Sequence, residues 1–426
     1  MIKLSIAIFF CVVCWGCTNI EDATPSKRKT FIRFYESAIS EFGVSAEAHN
    51  NGFVLVSYEI KNQIHNTIIR RTDASGNELT SERIVIPHFK ANALKIGNDA
   101  YYLAGDQIEL NPSSENLFDL RVTSAVLKKA RFDGSVSSYI ARDPGLSNLT
   151  DLQGSAVTID PSGNIVLVGS FQHATAQAQI KPFVTVLDPL SLDTVWTKPY
   201  ESMTRDFING KSAHIAKNGN IIWVSSLLKE AGDLSNTILS IANVSPGSSF
   251  TNNDRFGESS DQQLSANDIQ PAPMGYGVIG THARTTGRFS NMFFLRVDHN
   301  GNIIQGSERY FDGETLHSNS DVTADVSLSE DTGDALTYTQ DGGYILAGSM
   351  LTTVNRGSGG LDILLVKVDA FGNLVWNKIL GSEGDETINS VRETADGHLV
   401  LCGSNNLAGH SSAFMIKTDK NGELKN

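Results

Sequence analysis

A short stretch, DGGYILAGS at 341–349, returns along the chain in altered form. NNGFVLVSY (50–58), PSGNIVLVGS (161–170), KNGNIIWVSS (217–226) and ADGHLVLCGS (395–404) share its plan, a Gly-containing turn followed by an alternating apolar run. A recurring unit of this kind constrains a fold more tightly than length does. Like units must bury like faces, and they do so most simply by packing on one another.

The turn-plus-strand unit starts at residues 51, 98, 162, 218, 274, 342 and 396, which makes seven copies. A second strand ending in a turn follows each copy, as in TIIRRTDASGNE (67–78), FFLRVDHNGNII (293–304) and FMIKTDKNGEL (414–424). Gly52 in the first copy and Gly397 in the seventh give a mean period of 57.5 residues. A further alternating run precedes each unit, such as SAHIAKNG (212–219) or INSVRETAD (388–396). Each repeat therefore reads as four antiparallel strands, A to D. That pattern predicts an all-β fold: a single seven-bladed β-propeller of four-stranded antiparallel blades. The seventh copy ends close to Asn426, with little left for an outer strand, while TFIRFYESA (30–38) is a spare strand ahead of the first repeat. The expectation is that this N-terminal strand completes the last blade, closing the ring and covering an open edge.

Composition fits a folded chain, with 40% hydrophobic residues, 19% charged residues and 37 Gly among 426. The net charge of −13 argues against a nucleic-acid partner, which needs a basic footprint. Cys11, Cys14 and Cys17 crowd the start, in MIKLSIAIFFCVVCWGC, and Cys402 stands alone. One Lys followed by an apolar run of this length reads as a signal peptide, too short to span a bilayer comfortably. Gly16–Cys17 resembles the cleavage point of a bacterial lipoprotein, with Cys17 lipidated. Residues 1–16 are then leader, 17–29 a flexible tether, and 30–426 the propeller. Cys402, mid-strand, is read as a buried inert thiol.

The stretch TQDGGYILAGS with DILLVKVDAFGNLVWNKILGSEGDE, within 339–386, resembles propeller-repeat proteins common in Bacteroidetes. The likeness is recognisable again at 291–306 and 396–423. It implies a propeller in the cell envelope and says little about chemistry. Glu21 and Asp22, soon after Cys17, resemble acidic export signals of surface lipoproteins in the same bacteria. The Asp369–Gly372–Trp376 spacing is similar to quinoprotein propeller repeats, but only Trp196 and Trp376 hold the Trp position, and that family's adjacent cysteine pair is absent.

No motif carries catalysis. GYGVIG (275–280) matches a dinucleotide-binding spacing but aligns with strand B, where no helix follows. NGKS (209–212) lacks the upstream Gly of a phosphate loop. DASGN (73–77), DHNGN (298–302), DAFGN (369–373) and DKNGE (419–423) are read as capped turns rather than calcium loops, because no distal Glu completes a ligand set. No metal site and no cofactor is expected.

The A–B and C–D connections are short. The B–C and D–A connections, which share the opposite edge, are longer: 106–122, 171–181, 202–211, 282–291, 311–335 and 350–361. Binding groups gather on such loops. The candidates there are Arg205, Arg284, Arg288, His317 and Arg356, with Tyr310 for stacking. The reading that follows is a monomeric, non-enzymatic binding or scaffold module, lipid-anchored in the outer membrane on the periplasmic or cell-surface side. Its partner is an envelope protein or a glycan. The alternatives are an outer-membrane assembly factor, or a glycan-active or quinone-dependent propeller enzyme.

Overall fold

The computed structural model describes residues 30–35, 37–62, 64–110, 121–141, 149–173, 180–199, 207–215, 219–228, 237–244, 250–257, 262–284, 290–312, 318–319, 330–351 and 360–424. The fold is all-β, built of antiparallel four-stranded meanders. A lone strand, β1 (Phe31–Tyr35), comes first. β2 (Glu41–His49), β3 (Gly52–Lys61), β4 (Ile64–Thr72) and β5 (Ile84–Ile86) form one sheet. β6 (Phe89–Ile96), β7 (Ala100–Leu110), β8 (Arg121–Arg131) and β9 (Val136–Ile140) form the next. β10 (Leu149–Ile159), β11 (Ile165–His173), β12 (Ile180–Leu187) and β13 (Thr194–Pro199) follow, then β14 (Phe207–Ile215), β15 (Ile221–Leu228), β16 (Thr237–Val244) and β17 (Phe250–Phe256). A further meander holds β18 (Gln262–Ala272), β19 (Gly275–Arg284), β20 (Ser290–Val297) and β21 (Arg309–Phe311), with β22 (Ser318–Asn319) on its edge. One parallel bridge, Ser290 to Glu330, joins it to β23 (Glu330–Asp331). Both β23 and β24 (Ala335–Tyr338) pair with β25 (Tyr344–Leu351), which continues to β26 (Leu361–Val368) and β27 (Leu374–Leu380). The last sheet is β28 (Asp385–Glu393), β29 (Leu399–Leu407) and β30 (His410–Thr418), with β1 as its outer strand.

The N-terminal strand therefore lies where the sequence places it, though over 31–35 rather than 30–38. β1 runs antiparallel to β30, Phe31 opposite Lys417 and Tyr35 opposite Ala413. It also reaches the first sheet. The Tyr35 hydroxyl donates to the Gly76 carbonyl at 2.9 Å, and the Arg70 guanidinium lies over the Tyr35 ring.

Second strands are buried on both faces. Every residue of β25 from Tyr344 to Met350 is buried, because sheets pack against each side of it. This explains YILAGS as a near-continuous apolar run rather than a one-faced alternation. The core is accordingly divided into clusters between successive sheets. Ile222, Val224, Leu239 and Ile241 meet Leu264, Val278, Phe293 and Leu295 in one of them. Phe31, Tyr35, Cys402 and Met415 meet Ala46, Phe53 and Leu55 in another, joining the two ends of the chain.

The D-x-x-G motifs close turns. In DAFGN the Asp369 Oδ1 accepts the N–H of Phe371 and of Asn373, both at 2.8 Å, while Oδ2 accepts the Asn373 amide. Asp73, Asp160 and Asp298 repeat the arrangement. Gly372 takes a φ of +88°, a region that L side chains seldom enter. GYGVIG lies within β19, as its alignment with strand B implies.

Candidate functional site

The first strand of each meander lines a shared central cavity. One part, about 450 Å³, is bordered by Gly43, Asn92, Asp106, Gln153, Asn267, Asp334 and Asn389. A second part, also about 450 Å³, is bordered by Glu47, Lys95, Thr158, His214, Gln270 and Arg392, among others. These residues come from β2, β6, β10, β14, β18, the approach to β24, and β28, with Asp106 added from β7.

A repeated backbone defect aims them inward. β2 shifts register between Gly43 and Ser45, β6 between Ala91 and Ala93, and β10 between Gly154 and Ala156. β14 shifts between Gly210 and Ser212, β18 between Ala266 and Asp268, and β28 between Ile388 and Ser390. Ahead of β24, the N–H groups of Thr332 and Asp334 bond to Ser349 and Ala347, so Gly333 and Asp334 together face Gly348. Each is a β-bulge, with two residues opposed by one. The extra residues are Val44, Asn92, Ser155, Lys211, Asn267, Asp334 and Asn389.

The residue opposite each bulge is Ser57, Gly105, Gly169, Ser225, Gly280, Gly348 or Gly403. This is the third Gly of DGGYILAGS and its counterparts, with Ser in two of the repeats. A Cβ on Gly105, Gly169, Gly280, Gly348 or Gly403 would collide with the carbonyl oxygen of Lys90, Gln153, Ser265, Thr332 or Thr387, respectively. Reading Gly only as a turn former misses this position. The signal was its fixed place at the far end of the strand run.

The next residue of the motif reaches the neighbouring sheet. Asp106 accepts the Gly154 N–H at 3.0 Å, Ser226 that of Ala266 at 2.9 Å, Thr281 that of Gly333 at 3.2 Å, and Ser404 that of Gly43 at 3.1 Å. Three bulge asparagines satisfy the matching carbonyls. Asn92 donates to Gly154 O at 2.9 Å, Asn267 to Gly333 O at 2.6 Å, and Asn389 to Gly43 O at 2.8 Å. Bulging frees backbone groups from their own ladder, and these side chains take them up.

Burial raises the carboxyl pKa of Asp106 and also that of Asp268, whose donors are Ser212, Gln270 and the N–H groups of Ile269 and Leu336. Burial, followed by the charges of Lys95 and Arg392, lowers His214 to about 3. The imidazole is neutral at pH 7.

The loop candidates fare differently. Cys17, Arg205, Arg288, His317 and Arg356 lie outside the described residues, and so do most of the long connections. Arg284 ends β19. Tyr310 is not on a loop. It sits in β21 at 8% exposure, within the core, with its ring edge-on to His282 at 5.0 Å. Burial pushes its phenol up to about 12. Its apolar neighbours in FF and YF strands claim the ring for packing. Cys402 is fully buried, and burial raises its thiol pKa. No cluster of His, Cys, Asp and Glu able to hold a metal occurs among the described residues.

No family model matches the chain. No curated protein matches it either. Solved structures with a related course include a neuraminidase-like protein of subtype N10 from influenza A of a little yellow-shouldered bat, at 8% identity and a TM-score of 0.43, covering 91% of this chain and 98% of that one. A Dyadobacter fermentans protein of unknown function has 10% identity and a TM-score of 0.44, covering 91% and 99%. Trypanosoma rangeli sialidase, solved with the inhibitor DANA, has 11% identity and a TM-score of 0.45; 80% of this chain spans 56% of that one. Likeness at this level carries no argument about function.

Proposed function

We propose that the chain is a closed seven-bladed β-propeller serving as a non-enzymatic binding module of the bacterial envelope. It is anchored through a lipid on Cys17 and engages a protein or a glycan through its loop-rich edge. The observation that carries this reading is an asymmetry between the two edges. The A–B and C–D turns are tied down by the same short hydrogen-bonded loops, in Asp73, Asp160, Asp298 and Asp369. The B–C and D–A connections, long in the sequence, depart from the strand ends at the other edge. A stiff frame with variable loops on one side is the usual form of a recognition scaffold.

Closure is supported by contacts between first and last sheets. Asn389 and Ser404 hold both polar groups of the Gly43 backbone, and Ser45 meets Ser390 at 3.3 Å. The Arg392–Glu47 pair, at 3.7 Å, spans the same seam. The test is a cross-linked pull-down of the full-length protein from its own membranes, with a glycan array run in parallel. Replacing 352–359 by a short Gly-Ser linker should abolish binding, while Asn300→Ala on the opposite edge should leave it intact. Cys17→Ala should release the protein from the membrane fraction. Binding that survives shortening of every long connection overturns the reading.

A further inference from the structure

Away from the central cavity, a recess of about 580 Å³ opens where the last sheet meets the connection that enters it. Phe34 of β1, Ser382 and Glu383 between β27 and β28, and Asn405, Leu407 and His410 of β29 and β30 line it. It lies on the edge of the B–C and D–A connections. The B–C turn of this sheet is only Ala408 and Gly409, so it raises no long loop beside the recess. The walls are apolar and uncovered, with Phe34 46% exposed and Leu407 53%. Phe34 meets Phe414 nearly at right angles at 6.4 Å, a contact that takes up at most one face of its ring. The polar groups are left as acceptors. The Asn405 amide spends its N–H groups inward, on Ser382 Oγ at 2.7 Å and on the Glu386 carboxylate. The Ser382 hydroxyl also donates to Glu386. His410 donates its Nε2–H to the Ser37 carbonyl at 3.0 Å, which leaves Nδ1 of the neutral ring an acceptor. Glu383 is exposed and makes no ion pair among the described residues. No Lys or Arg is among the described residues that line the recess.

We propose that this recess receives an Arg or Lys side chain from a basic segment of a protein partner. The inference rests on the reading of the loop-rich edge as a recognition surface and names what that surface takes up. The walls call for an apolar stem, and the polar groups call for a head that donates and does not accept. A guanidinium or ammonium on its methylene stem meets both demands. The stem lies along Leu407, the cation sits over the open face of Phe34, and Glu383 supplies the opposite charge at the rim. Asp385, whose carboxylate takes the Leu361 N–H at 3.0 Å, adds negative charge nearby. The chain as a whole carries −13, which steers a basic segment toward it. Sugar hydroxyls can donate as well, but a neutral glycan leaves the Glu383 charge uncompensated, whereas a cation pairs it.

The test is fluorescence anisotropy of a labelled Gly-Arg-Leu-Arg-Gly peptide, blocked at both ends and titrated with the full-length protein. A Gly-Glu-Leu-Glu-Gly peptide is the control. The expected result is saturable binding of the Arg peptide alone, weakening as salt rises. Phe34→Ala should weaken it about threefold, and Glu383→Lys about tenfold or more. Ile32→Ala, exposed on the same strand but outside the recess, should leave it unchanged. Glu383 is exposed, so its variant keeps the fold and decides the matter even if Phe34→Ala does not. No saturable binding, or equal binding by Glu383→Lys, overturns the proposal. Neutral oligosaccharides bound in place of the peptide, and lost in Phe34→Ala, overturn it in favour of a glycan. A membrane partner lost on replacing 352–359 but kept by Glu383→Lys overturns this site alone and leaves the loop-edge reading standing.

Discussion

At the residue scale, small side chains do the geometric work. Gly348 faces the bulge at Gly333–Asp334, so Gly348→Ala pushes a methyl into the Thr332 carbonyl. The expected cost is about 1–3 kcal/mol, read by chemical denaturation. Arg70 is buried with Glu41, and Ser57 bonds to both. Arg70→Met strands the Glu41 carboxylate, and a loss of about 3–5 kcal/mol is expected by the same measurement. Asp396 shows the pH sense of the turn carboxylates. Burial would raise it, but the Thr394 hydroxyl, Lys417 and His398 outweigh burial and hold it at about 2. A carboxyl depressed in the folded state stabilises the fold above its unfolded pKa, about 4. That contribution is lost as pH falls from about 4 to about 2. Asp396→Asn should flatten the fall in melting temperature across this window. An identical pH profile would contradict the assignment.

At the element scale, β1 matters most. It is five residues long, yet Phe31 and Tyr35 are buried between the last sheet and the first. Each large aromatic removed from such a site costs about 3–5 kcal/mol. Deleting residues 30–38 should therefore lower the melting temperature by roughly 10 °C or more. Phe34→Ala, on the exposed face of the same strand, should cost far less. Equal effects would mean that the buried Phe31 and Tyr35 and the backbone pairing of the strand add nothing to stability. The bulges are the other decisive elements. They recur at one level of every inner strand, and they turn ordinary sheet edges into a cavity lining.

At the scale of the whole molecule, closure is the property to measure. A compact particle spanning residues 30–426 has a radius of gyration of about 21 Å. Solution scattering should return that value, whereas an open arc of the same sheets would be larger and would lose the contacts of Gly43 with Asn389 and Ser404. Much of this organisation was legible beforehand. The all-β class, the four-stranded antiparallel order within a repeat, the capped D-x-x-G turns and the pairing of the N-terminal strand with the last sheet all follow from local patterns. Gly and Asp at set spacings, and apolar runs between them, are short-range signals. The candidate site was far less legible. Tyr310 was placed on a loop because it adjoins a long connection, but the core takes its ring.

The sequence by itself determined an all-β chain of repeated antiparallel strands, because turn chemistry and strand periodicity are written in neighbouring residues. It also determined a net negative charge, which argues against a polyanionic partner. Only the tertiary structure decided what shares the central cavity. Lys95, His214 and Arg392 lie far apart in the chain and belong to different repeats. No local rule brings them together. They meet because the inner strands bulge at a matching level, and because packing of successive sheets brings residues from separate repeats around one cavity.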